Sequence, residues 1–175
     1  METNDFDPVA EANRRARDEL KESLASDKGY SFFDKPEESA GLHILMDARV
    51  DDEVVFSREA LAEVFSKLLE VLGMVPLGPP VFYEVPLDPG VLERMKQTGD
   101  FEDEGGITGF QVISTSHLSL HAWPLQKFFS MDVFSCKSFD ANLALSVICE
   151  SFRVTERNVS VVDRKKPMQP SLFLR

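Results

Sequence analysis

Cysteine is scarce in this chain. Its two residues, Cys136 and Cys149, cannot build a disulfide framework, and their spacing matches no zinc ribbon. Three histidines, one tryptophan and two tyrosines leave any imidazole- or indole-based site very few positions to draw on. Positive charge is also in deficit, with 19 Lys and Arg against 30 Asp and Glu and a net charge of -11. Such a surface repels phosphate backbones and anionic lipid, which excludes general nucleic-acid or membrane-surface binding. No apolar run approaches the roughly 20 residues that span a bilayer, and the opening METNDFDPVAEANRRARDEL lacks the apolar core of a secretory signal. The expected setting is a reducing cytoplasm.

What is present suits folding. A 43% hydrophobic content over 175 residues supports one compact domain with an appendage. Residues 1–40 read as a charged N-terminal extension, with a helix over 10–25 that has few large apolar residues for docking. The folded domain is expected over 41–163, and 164–175 form a tail whose Arg164-Lys165-Lys166-Pro167 run is too short for a nucleic-acid patch.

Within the domain, the apolar run over 42–48 predicts a buried strand. Ser57 predicts an N-cap, Leu61, Val64, Phe65, Leu68, Leu69 and Leu72 form one helical face, and Gly73 ends it. Residues 81–85 predict a second strand. A proline- and glycine-marked excursion over 86–106 follows, with a short helix at 91–96 and an acidic surface loop ending at Glu104. Strands are predicted over 109–114, 116–123 and 128–136, then a helix over 139–151 and a closing strand over 154–162. The order β-α-β-β-β-β-α-β, with short links between strands, implies an α+β fold: a largely antiparallel sheet with two helices packed on one face.

Chemistry concentrates in Ile113–Cys136, ISTSHLSLHAWPLQKFFSMDVFSC, which holds two histidines, a cysteine and the tryptophan. A metal site of His117, His121 and Cys136 is disfavoured, because on a strand positions four apart lie about 13 Å from each other. A serine or cysteine hydrolase lacks the G-x-S-x-G elbow. Taken singly, Cys136 reads as a small buried hydrophobe, His117 as a packed core or interface histidine, Trp123 as core and Thr108 as a strand threonine. The third chemistry is self-processing. A serine hydroxyl attacks the preceding carbonyl, the peptide becomes an ester, and elimination followed by hydrolysis leaves a pyruvoyl ketone that takes up an amine as a Schiff base.

Ser116-His117-Leu118-Ser119-Leu120-His121-Ala122-Trp123-Pro124, followed by Met131-Asp132-Val133-Phe134-Ser135-Cys136, resembles the signature of the small prokaryotic S-adenosylmethionine decarboxylases. That signature reads E-S-H-x-x-I-H-T-W-P-E and then D-x-F-T-C-G. Thr108-Gly109 stands where that family has Ser-Gly, and His43-Ile44-Leu45-Met46-Asp47 resembles its first strand with an acidic residue at Asp47. The resemblance covers roughly 41–163. It implies cleavage between Thr115 and Ser116, with Ser116 as precursor of a covalently bound pyruvoyl group and His121 as the base of elimination. It further implies Thr108 as the hydroxyl that holds the ester, Cys136 as the acid that reprotonates the substrate, and Trp123 and Asp47 in substrate binding.

The implied activity is decarboxylation of S-adenosylmethionine in polyamine (spermidine) synthesis, by a homodimer of processed protomers with sites near the interface. Three departures stand out: Thr115 replaces the glutamate before the serine, Leu125 the ribose-binding glutamate after Trp-Pro, and Lys137 the glycine after the cysteine. They surround the substrate position while serine, histidine and cysteine are intact. Decarboxylation of ornithine or arginine on the same scaffold is therefore an alternative, and a non-processing homologue acting as a binding or regulatory partner is another. Simple alternation sets Ser116 and His121 on opposite faces of a straight strand, so their cooperation calls for a bulge or bend.

Overall fold

The computed structural model describes residues 41–86, 88–99 and 105–164. The expected N-terminal extension, the acidic run 100–104 and the tail beyond Arg164 lie outside the described residues. Six strands, β1 (Leu42–Val50), β2 (Val81–Val85), β3 (Gly106–Ile113), β4 (Ser116–Trp123), β5 (Phe128–Ser135) and β6 (Val154–Asp163), form one sheet in the order β2-β3-β4-β5-β1-β6. Every neighbouring pair is antiparallel, so the expected α+β layering is what the chain adopts.

Helix α1 (Arg58–Leu72) starts where Ser57 Oγ accepts the Ala60 N–H at 3.2 Å and stops at Gly73, whose φ of 65° an L side chain would resist. Its buried face is Leu61, Val64, Phe65, Leu68, Leu69 and Val71; Leu72 is only partly buried, so the stripe closes one position earlier than the sequence pattern places it. Helix α2 (Pro89–Thr98) is longer than the segment expected at 91–96, because Asp88 caps it and Pro89 fits its first turn. Helix α3 (Ala141–Ser151) is capped by Asp140, which accepts the Leu143 N–H; Phe139 precedes it as a buried core residue rather than a helical one.

Strand alternation divides the sheet into two unlike faces. Leu42, Ile44, Met46 and Ala48 on β1, Leu118, Leu120 and Ala122 on β4, and Phe129, Met131 and Val133 on β5 are buried in the same core as the apolar faces of α1 and α3. At its centre the Phe129 and Phe152 rings lie 4.6 Å apart, with Phe56 about 6 Å from both. Among the described residues nothing covers the opposite face. Across it run rows of cross-strand neighbours, among them His43, Phe134, His117 and Val112, then Leu45, Asp132, Ser119 and Phe110, then Asp47, Ser130, His121, Thr108 and Tyr83. Leu45, Val81, Tyr83, Val85, Phe110, Val112 and Val162 are all exposed large hydrophobics on this face.

The core predicts its own weak point. Phe152→Ala removes a fully buried ring that touches two others, and urea unfolding should show a loss of about 3–5 kcal/mol. A loss under about 1 kcal/mol would contradict a core organised around this cluster.

Candidate active site

The β3–β4 hairpin turns through Ser114 and Thr115, with Ile113 and Ser116 as the last cross-strand pair. Two-residue hairpins usually take their positive φ inside the turn. Here neither turn residue has one, and Ser116 carries it instead at 157°. The corner is held from both sides. On one side Ser114 N–H donates to the Val75 carbonyl, Leu77 N–H donates to the Val112 carbonyl, and buried Gln111 donates to the Gly78 carbonyl. On the other side Cys136 N–H donates to the Thr115 carbonyl at 3.0 Å.

That last bond is chemically directed. The Thr115 carbonyl belongs to the bond expected to break, and a backbone N–H aimed at it polarises the carbon and would stabilise an oxyanion there. Ser135 reinforces the arrangement. It pairs with Ser116 in register and is 1% exposed. Its Oγ accepts the Lys137 N–H at 3.1 Å and shares a hydrogen bond with Thr115 Oγ1 at 3.0 Å. One buried hydroxyl therefore ties the residue before Ser116 to the loop that carries Cys136. The Cys136 thiol is exposed, not buried as its isolated reading expects. Cys149 is buried in α3, and burial pushes its thiol above the usual range.

Thr108 and His121 meet, with Oγ1 and Nδ1 2.6 Å apart. They do so at the far end of the hairpin. Strand β4 runs in unbroken register with both neighbours from Ser116 to Trp123, so no bulge intervenes and Ser116 and His121 are about 16 Å apart along the strand. The bend lies at Ser116 itself. Within one chain, then, the structure joins Thr115, Ser116 and Cys136 in one cluster and Thr108 with His121 in another. It does not bring the two together.

Trp123 stands half-buried beside His121, ring centroids 4.1 Å apart and nearly perpendicular, with Phe128 beyond it at 5.5 Å. Asp47 accepts a hydrogen bond from Ser130 at 2.6 Å, in the same row as His121. One row along, Ser119 donates to Asp132, and His43 Nε2, 3.7 Å from Asp132, is buried without a hydrogen-bond partner among the described residues. Burial lowers the His43 pKa more than the carboxylate raises it. Past Trp123 an open, largely apolar cavity of about 520 Å³ is lined by Met95, Ile107, Trp123, Leu125 and, among the described residues, one acid, Glu84. Arg58 binds Glu84 through Oε1 at 3.1 Å. Among the features not foreseen from sequence are the Ser135 clamp, the pairing of His117 with Ser116 (Nδ1 to Oγ, 3.2 Å) and Glu84 in the cavity wall.

Comparison with known proteins gives a consistent picture. A family model described as S-adenosylmethionine decarboxylase matches residues 42–165. The S-adenosylmethionine decarboxylase proenzyme of Syntrophomonas wolfei is 31% identical over 117 residues, which is 65% of this chain and 90% of that protein. The proenzyme of the same name from Pyrococcus furiosus is 24% identical over 138 residues, 78% of this chain and 86% of that one. Among solved structures, the adenosylmethionine decarboxylase of Aquifex aeolicus superposes with a TM-score of 0.52 at 21% identity, covering 75% of this chain and 99% of that one. At that identity the match speaks for the fold alone.

The Ser135 clamp carries a quantitative expectation. Ser135→Ala and Thr115→Val each remove the hydrogen bond between the two hydroxyls, worth about 1 kcal/mol, so each should slow cleavage after Thr115 roughly fivefold, Ser135→Ala somewhat more because it also loses the Lys137 N–H. Because the bond between the hydroxyls is lost in either case, the double variant should be little slower than Ser135→Ala alone. Multiplying effects in timed intact-mass measurements would show that the two hydroxyls do not act on each other.

Proposed function

The chain belongs to the S-adenosylmethionine decarboxylase family, and on that footing we propose that it is a self-processing, pyruvoyl-dependent S-adenosylmethionine decarboxylase serving polyamine (spermidine) synthesis in the cytoplasm. The observation that carries this reading is the corner at Thr115–Ser116, where the carbonyl to be attacked is already bonded to the Cys136 N–H. The residues fit a group made there: a serine with positive φ, a polarised preceding carbonyl and an accessible thiol two strand-ends away.

A pyruvoyl ketone at position 116 supplies the carbonyl that takes up the substrate amine and accepts the electron pair released with carbon dioxide. The remaining work falls to the chain's own side chains. Cys136 Sγ holds the proton for the substrate α-carbon. Trp123 offers an indole face to the purine, and the cavity beside it has room for a nucleoside, burying apolar surface against Met95 and Leu125. With Leu125 unable to accept hydrogen bonds from ribose hydroxyls, the Glu84 carboxylate, engaged by Arg58 through one oxygen, is the acceptor at hand. Asp47, fixed by Ser130, adds negative charge in the row of His121, suited to a cationic substrate.

Elimination at Ser116 needs a base, and His121 with its Thr108 partner sits at the opposite end of the hairpin. A second copy supplies the missing half. Stacking two open sheet faces about a two-fold axis that runs across the strands sets the Ser116 end of one β4 against the His121 end of the other, and covers the exposed Leu45, Tyr83, Phe110, Val112 and Val162. The functional unit is accordingly a homodimer of processed protomers with two shared sites.

Two outcomes are expected. Purified protein should resolve in denaturing mass spectrometry into 1–115 and 116–175, with Ser116→Ala intact and Cys136→Ala cleaved but deficient by at least about 100-fold in carbon dioxide release from labelled S-adenosylmethionine. Full turnover by Cys136→Ala would remove the thiol from the reaction. Co-expression of Ser116→Ala with His121→Ala should restore cleavage of the His121→Ala copy, which fails when expressed alone. Absence of such rescue in a mixed dimer would contradict the shared site.

A further inference from the structure

His121 reaches Ser116 only from a second copy in the proposed dimer, whereas another imidazole stands beside Ser116 in its own chain. Ser116 Oγ lies 3.2 Å from His117 Nδ1 in the same chain. The ring is set in place by its neighbours: Phe110 stacks on it at 5.3 Å and 24°, and Phe134 meets it edge-on at 6.0 Å. The other imidazoles lie elsewhere, His121 bonded to Thr108 and His43 beside Asp132. The electrophile is prepared on the opposite side of the corner, with Cys136 N–H on the Thr115 carbonyl oxygen.

We infer that His117 is the catalytic base of the first half of self-processing, the conversion of the Thr115–Ser116 peptide bond to an ester; the inference rests on the processing reading above. With its proton on Nε2, the His117 ring presents the Nδ1 lone pair to the Ser116 hydroxyl. The hydroxyl proton passes to Nδ1 as the Oγ lone pair forms a bond to the Thr115 carbonyl carbon. The carbonyl π pair moves to oxygen, against the Cys136 N–H. As that pair returns, the bond from Thr115 carbon to Ser116 nitrogen breaks, and the nitrogen takes the proton back from Nδ1. Nothing is oxidised or consumed. His117 thereby serves ester formation, and His121 of a second copy serves the later removal of the Ser116 α-proton.

The two roles separate by chemical trapping. The full chain carrying His117→Gly, Ser116→Ala or His121→Ala is followed by denaturing intact mass, with and without hydroxylamine, which cuts an ester but not an amide. His121→Ala should accumulate an ester that hydroxylamine cleaves after Thr115. His117→Gly should form that ester at least about 100-fold more slowly than wild type, and free imidazole, filling the space left by the ring, should restore cleavage to His117→Gly but not to Ser116→Ala. Thermal melting matched to Ser116→Ala shows that the variant is folded; if glycine unfolds the hairpin, His117→Ala carries the same rescue test. Processing of the His117 variant at the wild-type rate, or a folded variant that imidazole does not rescue, overturns the assignment. A wild-type chain that never cleaves would instead overturn the processing reading itself.

Discussion

One hydrogen bond organises the chemistry of this molecule: the Cys136 N–H on the Thr115 carbonyl. It exists because β4 lies between β3 and β5 in strict register, so that the corner before β4 meets the exit from β5. A donor fixed before the reaction starts does not have to be reoriented as negative charge develops on the oxygen, which is where such groups contribute most. The buried Ser135 hydroxyl prevents the two strand ends from drifting apart, since releasing it would leave a polar group without partners in the interior. The same bond brings Cys136 beside the Thr115–Ser116 peptide, so under the proposed function one geometry would serve both the cut and the acid of the reaction that follows.

The two faces of the sheet divide the labour. One face is filled by aliphatic side chains and a phenylalanine cluster beneath α1 and α3, and it supplies the rigidity. The other carries polar rows between hydrophobics that are exposed among the described residues. Strand alternation enforces this division, because each strand must send every second residue away from the core. It also explains why the two clusters stay separate within one chain: on a straight strand, chemical groups five residues apart stay far apart. In the proposed dimer, doubling the sheet brings them within reach.

Much of this was legible in the sequence, and for identifiable reasons. The N-cap at Ser57, the stop at Gly73 and the period-two alternation through Ser116–Trp123 are local signals, and the elements follow them closely. The α+β layering followed from the order of those elements. Thr108 and His121 were singled out by the family resemblance, and they do touch. What spacing could not convey is which side chains share a cluster. The expectation of a bulge that would join His121 to Ser116 rested on all the named residues meeting in one chain, whereas β4 is straight and only the corner residue is bent. Ser135 was passed over because its role depends on register, the pairing of position 116 with 135, which becomes visible only once the strands are laid side by side. Glu84 escaped notice for a similar reason: it reaches the cavity wall from β2, far in sequence from Trp123. Cys136 was singled out only in company; alone it reads as a buried hydrophobe, and its exposure, a fact of the loop it sits in, overturns that isolated reading.

The most direct test is the chemical identity of residue 116 in the native protein. Isolated under denaturing conditions, the fragment beginning at position 116 should weigh one ammonia less than a chain that starts with serine, resist Edman degradation, and react with phenylhydrazine as a ketone. A free serine amine at that terminus, or an unbroken chain with Ser116 unmodified, would contradict the account.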